Sequence, residues 1–235
     1  VPVMAIIYCL SAIIIIILSA EHLLGAIQLI FTSAFAWQSV HGGMIGAIII
    51  GFQRALFSNE AGIGSASIAH SAVKTDEPIS EGLVSLLEPF IDTVLICTIT
   101  SLVIVTTAYP NGLMDSNLGL EGIALTSAAF AHHISWSPIL LGIAALLFAF
   151  STAIAWSYYG LKAWSYLFGE SILAQGLFKT IFCGFIAIGC MVELSAVLDF
   201  SDAMVFLIAI PNIIGLYLYA PEVKRDLANY LQRNP

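Results

Sequence analysis

Long apolar runs, each nearly free of charge, recur along this chain and leave it few ways to fold. Residues 13–18 are five isoleucines and a leucine, and residues 140–154 contain no charged side chain. A helix needs about 20 apolar residues to cross the ~30 Å hydrocarbon core of a bilayer. A water-facing helix confines its apolar residues to a stripe, whereas here they fill whole blocks. Hydrophobic residues make up 60% of the chain and charged residues 9%, against about 25% charged in an ordinary soluble domain. That leaves too little polar surface to cover a particle in water. The alternating strands of about ten residues that mark a membrane barrel are absent. The chain therefore reads as an all-α integral membrane protein.

Six blocks can be drawn, over residues 2–19, 26–52, 83–108, 137–165, 174–197 and 202–220. They predict about six transmembrane helices in a single transmembrane domain, 1–235. A semipolar stretch, 54–81, separates the second and third blocks. A longer loop, 109–135, carries the turn formers Pro110, Asn111 and Gly112. Basic residues favour the cytoplasmic side. If the first helix runs outward and the rest alternate, Arg54, Lys74, Lys162, Lys179, Lys224, Arg225 and Arg233 all fall inside. The external segments 20–25, 109–135 and 198–201 then contain no Lys or Arg. Both ends are expected to be cytoplasmic. Trp136 marks an outer interface, and Trp164, Tyr166, Tyr217 and Tyr219 mark inner ones. The first block starts at once, without an initiator methionine or a leader, so the chain reads as a fragment.

Several functions are excluded. A formal charge of −8 without a basic patch rules against a nucleic-acid partner. No Ser-His-Asp set, phosphate-binding glycine loop or HExxH-like zinc helix is present, so the chain is not expected to be an enzyme. Cys9, Cys97, Cys183 and Cys190 lie within apolar blocks at no metal or redox spacing and read as small buried hydrophobes. His132 and His133 read as solvated surface.

Polar residues inside apolar blocks are the candidates for function, because burying them in lipid is costly. The second block is interrupted from Ala36 to Gly43 by Gln38, Ser39, His41 and two adjacent glycines. One reading is a broken helix whose freed backbone binds ions and small zwitterions; another is close helix packing at glycine. In the third block Glu88 and Asp92 lie four residues apart around Pro89, which lacks an N–H and distorts helices. They can bind a cation, relay a proton or form a structural ion pair. Glu193, near an outer end, is weaker. Ser151 and Thr152 either bond back to their own helix or supply hydroxyl ligands to a sodium ion.

The stretch from Gly51 to Ala66, GFQRALFSNEAGIGSA, strongly resembles the signature of the alanine or glycine:cation symporter family (sodium:alanine symporters). The likeness continues through His70-Ser71-Ala72, Glu81-Gly82, Asp92-Thr93, the break up to Gly42-Gly43, the run from Ser151 to Gly160, and Pro211-Asn212. Ala55 stands where the family usually has glycine. The resemblance implies a sodium-coupled carrier of small neutral amino acids. It also implies a leucine-transporter-type inverted-repeat fold, of which this chain would be the C-terminal half. The chain would then hold the second repeat with its one broken helix and lack the first-repeat half of the same protein.

By the same resemblance Phe35, Gln38, Gly42 and Gly43 face the amino acid. The Phe148 carbonyl, Ser151 and Thr152 hold sodium, the co-transported ion. A multi-pass location in the cell (inner) membrane follows at the same level. Arg54 and Glu60 are suitable partners for a gating ion pair, with Asn59 beside them and Asp92 available for coupling. The alternative for Ser58, Asn59 and Glu60 is a helix cap. A proton-coupled carrier using Asp92, and a non-transporting membrane subunit or remnant, are the rival functions.

Overall fold

The computed structural model describes residues 2–34, 44–115, 118–120 and 122–233. Every regular element among them is helical: α1 (Pro2–Leu18), α2 (Ala20–Ala34), α3 (Met44–Asn59), α4 (Ser65–His70), α5 (Pro78–Ala108), α6 (Gly122–His133), α7 (Ser137–Phe168), α8 (Ile172–Gly189) and α9 (Leu194–Arg233). Four of them, α5, α7, α8 and α9, are long and apolar enough to cross a membrane, and the bent pair of α1 and α2 makes a fifth if it counts as one span. The expected blocks 83–108, 137–165 and 202–220 each fall on one of the four single helices, whereas 174–197 covers most of α8 and runs on into the start of α9. The expected second block, 26–52, includes residues 35–43, which lie outside the described residues. Large side chains such as Ile139, Leu146 and Phe150 remain 66–70% exposed, as expected where the solvent is hydrocarbon.

Three connections differ from expectation. Residues 20–25 are helical, because the chain turns by 99° at Ser19 without needing a loop. The connection between the last two spans is the short stretch 190–193, not 198–201, which lies inside α9. Polar Asp199 and Ser201 imitated a loop; Glu193 is the residue that lies in one. The segment 109–135 contains α6, whose Phe130 and Ala129 are fully buried. Cys9 and Cys97 are half-buried, but Cys183 is exposed on α8 and Cys190 is exposed in the connection that follows it.

Local chemistry explains the long helices. Pro78 opens α5 at a position where its missing N–H costs nothing. Pro89 is followed directly by a π-helical stretch, Phe90–Cys97. A proline cannot supply the normal i to i−4 bond, and widening the turn accommodates it. A second π stretch, Ile104–Ala108, ends α5. Ser171 caps α8 by accepting the Ala174 N–H at 3.2 Å.

The chain divides into two compact units, one of Val1–Gly51 with Ile91–Thr152 and one of Phe52–Phe90 with Ala153–Pro235, the boundaries falling within helices. The core of the first joins Ala12 and Ile15 of α1, Val103 and Ala108 of α5, Phe130 of α6 and Leu141 of α7. Tyr8 stacks on Phe130 at 5.9 Å and shares a 2.6 Å hydrogen bond with Thr100. In the second, Ile63 packs with Val205 and Ala209 of α9 and with Leu56, Phe57 and Trp156. Gly160 of α7 leaves room for a neighbour there: a Cβ would lie 2.6 Å from the tip of the Phe178 ring of α8, which would have to move.

Candidate functional site

The signature stretch forms a tight turn between α3 and α4. Asn59 accepts the Ala61 N–H at 2.9 Å through its side-chain oxygen, which closes the end of α3. Glu60 then takes φ +56°, and Gly62 and Gly64 take +86° and +99°. Positive φ is expensive for side chains other than glycine, so the glycines of the motif answer to backbone geometry. Gly64 also makes room for a neighbour, since a Cβ there would lie 3.1 Å from Asn212 Oδ1. Asn212 of α9 donates to the Gly62 carbonyl at 2.8 Å. The turn is thereby tied to a helix 150 residues away in sequence.

Glu60 is held at this turn by two donors. The Trp156 indole N–H of α7 donates to one carboxylate oxygen at 2.9 Å. The Ser65 hydroxyl, buried in the first turn of α4, donates to the other. Charged acceptors make stronger hydrogen bonds than neutral ones, so Glu60 links α3, α4 and α7. The ion pair of Arg54 with Glu60 considered above is not formed. Arg54 instead meets Asp202 of α9, Nη2 to Oδ2, at 2.5 Å, and its guanidinium lies 5.4 Å from the Phe57 ring centre. The pair is reached only through folding, because six residues separate Arg54 from Glu60 in sequence and 148 separate it from Asp202. Oδ1 of Asp202 is buried without a hydrogen-bond partner among the described residues.

Beside this turn lies a groove of about 460 Å³ lined by Ile63, Gly64, Trp156, Tyr159, Phe178 and Asn212, among others. At the far end of α4, His70 lies between two carboxylates of α5, with Nδ1 2.7 Å from Glu81 and Nε2 3.2 Å from Glu88. Sequence reading singled out Glu88 for its depth in an apolar block but did not join it to His70. The only signal was the recurrence of His70, Glu81 and Glu88 within one semipolar stretch and its border.

In the other unit the Ser151 hydroxyl donates to the Phe148 carbonyl at 2.9 Å. Ser151 is half-buried and Thr152 exposed on the unbroken helix α7. A carbonyl oxygen carries two lone pairs and a hydroxyl remains an acceptor after donating, so this back-bonded arrangement retains oxygen ligands. Asp92 sits in the first π stretch of α5 and lines a cavity of about 500 Å³ with Tyr8, Thr100, Thr126 and Phe148. No group of three or more His, Cys, Asp or Glu is arranged to hold a metal ion among the described residues. Phe35, Gln38, Gly42 and Gly43 lie outside the described residues.

The sodium/alanine symporter AgcS of Methanococcus maripaludis is 39% identical over 93% of this chain and 48% of its own length. The amino-acid carrier protein AlsT of Bacillus subtilis is 34% identical over 97% of the chain and 48% of its length. The probable sodium/glutamine symporter GlnT of the same organism is 33% identical over 99% of the chain and 48% of its length. The chain thus spans about half the length of the curated relatives it matches. Those relatives are transporters, not enzymes. The sequence profile of the sodium:alanine symporter family matches residues 1–235 without a gap at either end, and the chain belongs to that family.

Proposed function

We propose secondary active symport of a small neutral amino acid, alanine or glycine, with sodium by alternating access. The observation that carries this reading is the family match over residues 1–235. The names of AgcS and GlnT, sodium/alanine and probable sodium/glutamine symporter, support sodium as the coupling ion and a neutral amino acid as cargo. Because those relatives are about twice as long as the matched stretch, the activity is proposed for the protein in its full reading frame.

In this proposal the 235 residues supply the second repeat of a leucine-transporter-type fold, with about six spans and both ends cytoplasmic. Phe35, Gln38, Gly42 and Gly43 line the amino-acid site. The Phe148 carbonyl and the Ser151 and Thr152 hydroxyls hold sodium, a hard cation that prefers oxygen ligands. Arg54, Asn59 and Glu60 act in gating, and Asp92 in coupling. The sodium gradient does the work, because one charge moving through 100 mV is worth about 2.3 kcal/mol.

Uptake of labelled alanine and glycine into proteoliposomes tests the proposal, with inward sodium or with choline in its place. Uptake that needs sodium is the expected result. Equal uptake in choline would sink sodium coupling, and no uptake of either amino acid would sink the substrate assignment.

A further inference from the structure

His70 ends α4 and presents both ring nitrogens to carboxylates of α5. Nδ1 lies 2.7 Å from Glu81 Oε1 and Nε2 lies 3.2 Å from Glu88 Oε2. Seven residues, about two helical turns, separate the two glutamates, so both reach the imidazole from one side of α5. The side chains of His70 and Glu81 are 28% and 18% exposed, that of Glu88 50%. A neutral imidazole carries one N–H, and an ionised carboxylate only accepts. A neutral ring therefore satisfies one of these contacts and turns a bare lone pair on the other. Only the imidazolium satisfies both. A groove of about 570 Å³ lined by His70, Glu81, Ser67, Thr75 and Ser85 opens the cluster to solvent protons. From α7, Tyr159 lies within electrostatic reach of Glu88; the charged groups acting on His70 itself are Glu81 and Glu88.

We propose that His70, Glu81 and Glu88 form a proton-binding clasp that fastens α4 to α5 while His70 is charged and loosens when it gives up its proton. The hydrogen bond to Glu81 raises the His70 pKa above the ordinary imidazole value, with Glu88 adding to the rise and partial burial opposing it. A histidine raised in the folded state contributes stability that is fully present below its unfolded pKa. That stability is lost as pH rises through the folded value. The clasp is therefore an acid-side device. The signature turn at Glu60–Gly64 and the clasp at His70 lie at opposite ends of α4, so loosening one end frees a helix of six residues whose other end is anchored.

The test is thermal unfolding of the purified protein in its full reading frame, for wild type, His70→Gln and His70→Arg. It does not depend on transport, so it stands apart from the symport proposal. Wild type should unfold about 2–4 °C above His70→Gln at about pH 6, and the gap should close by about pH 9. His70→Arg, a cation at every pH, should keep the contact and remove the pH dependence. If His70→Arg does not fold, Glu81→Gln should move the wild-type loss of stability to lower pH. A gap between wild type and His70→Gln that is constant with pH would overturn the clasp, as would a Glu81→Gln profile identical to wild type.

Discussion

Arg54 and Asp202 meet at 2.5 Å although 148 residues separate them, joining α3 to α9 by a charge-assisted bond. The two partners are unequal. The Asp202 side chain is 12% exposed and the Arg54 side chain 45%. Arg54 can turn its guanidinium towards polar surroundings, whereas Asp202 cannot escape burial.

That inequality predicts unequal mutants. Removing the arginine strands a buried carboxylate, which costs about 3 kcal/mol. Removing the carboxylate frees a half-exposed cation and costs roughly 1 kcal/mol. Arg54→Met should therefore lower the unfolding temperature clearly more than Asp202→Asn. The double variant should be less destabilised than the sum of the two. Unfolding followed by intrinsic fluorescence checks the order, and equal losses would speak against a buried carboxylate.

At the signature turn, Gly62→Ala and Gly64→Ala separate conformational strain from crowding. Both glycines have positive φ, but only Gly64 has a neighbour within 4 Å of a new Cβ. Each substitution should cost about 1 kcal/mol for its backbone. Gly64→Ala should cost more because it also displaces Asn212. In an Asn212→Ala background the extra cost of Gly64→Ala should largely vanish, a comparison that thermal unfolding of the four variants provides.

Trp156→Phe keeps most of the ring and removes the N–H that Glu60 accepts at 2.9 Å. Losing a hydrogen bond to a charged group costs about 1.5–3 kcal/mol. Glu60→Gln, which weakens the same bond without emptying space, should cost less. Stability of both variants in detergent decides this; an unaffected Trp156→Phe would show that the bond contributes little.

His133 should respond to pH in the sense opposite to His70. Burial lowers its pKa below the ordinary value, with His132 and His22 pushing the same way. Its contribution is complete above the unfolded pKa and is lost as pH falls through the folded one. Its Nε2 lies 2.7 Å from the Ser19 hydroxyl at the bend between α1 and α2. His133→Gln should therefore flatten the acid side of the stability profile, where His70→Gln flattens the alkaline side.

The spans were legible because their cause is local. Apolar blocks with few charges have one solution in lipid, and the helices α5, α7, α8 and α9 follow from it. The signature glycines were legible as a pattern, but their physical reason, positive φ at Gly62 and Gly64 and the approach of Asn212 to Gly64, is set by the fold. Partners were not legible. Arg54 pointed to Glu60 because they are near in sequence, while Glu60 was taken by Trp156 and Ser65 and Arg54 by Asp202. Asp202 fell inside an expected helix, but nothing in the local pattern linked it to a cation 148 residues away. His133, read as solvated surface, bonds Ser19 because residues 109–135 contain the packed helix α6.

The most direct test of sodium coupling through α7 is the sodium-activation curve of alanine uptake in proteoliposomes, for wild type and Thr152→Ala. The account predicts uptake driven by sodium in wild type and a rise of about tenfold or more in half-saturating sodium for Thr152→Ala, equal to about 1.4 kcal/mol of lost ion binding. An activation curve unchanged by the substitution, in a variant that folds and transports, would contradict it.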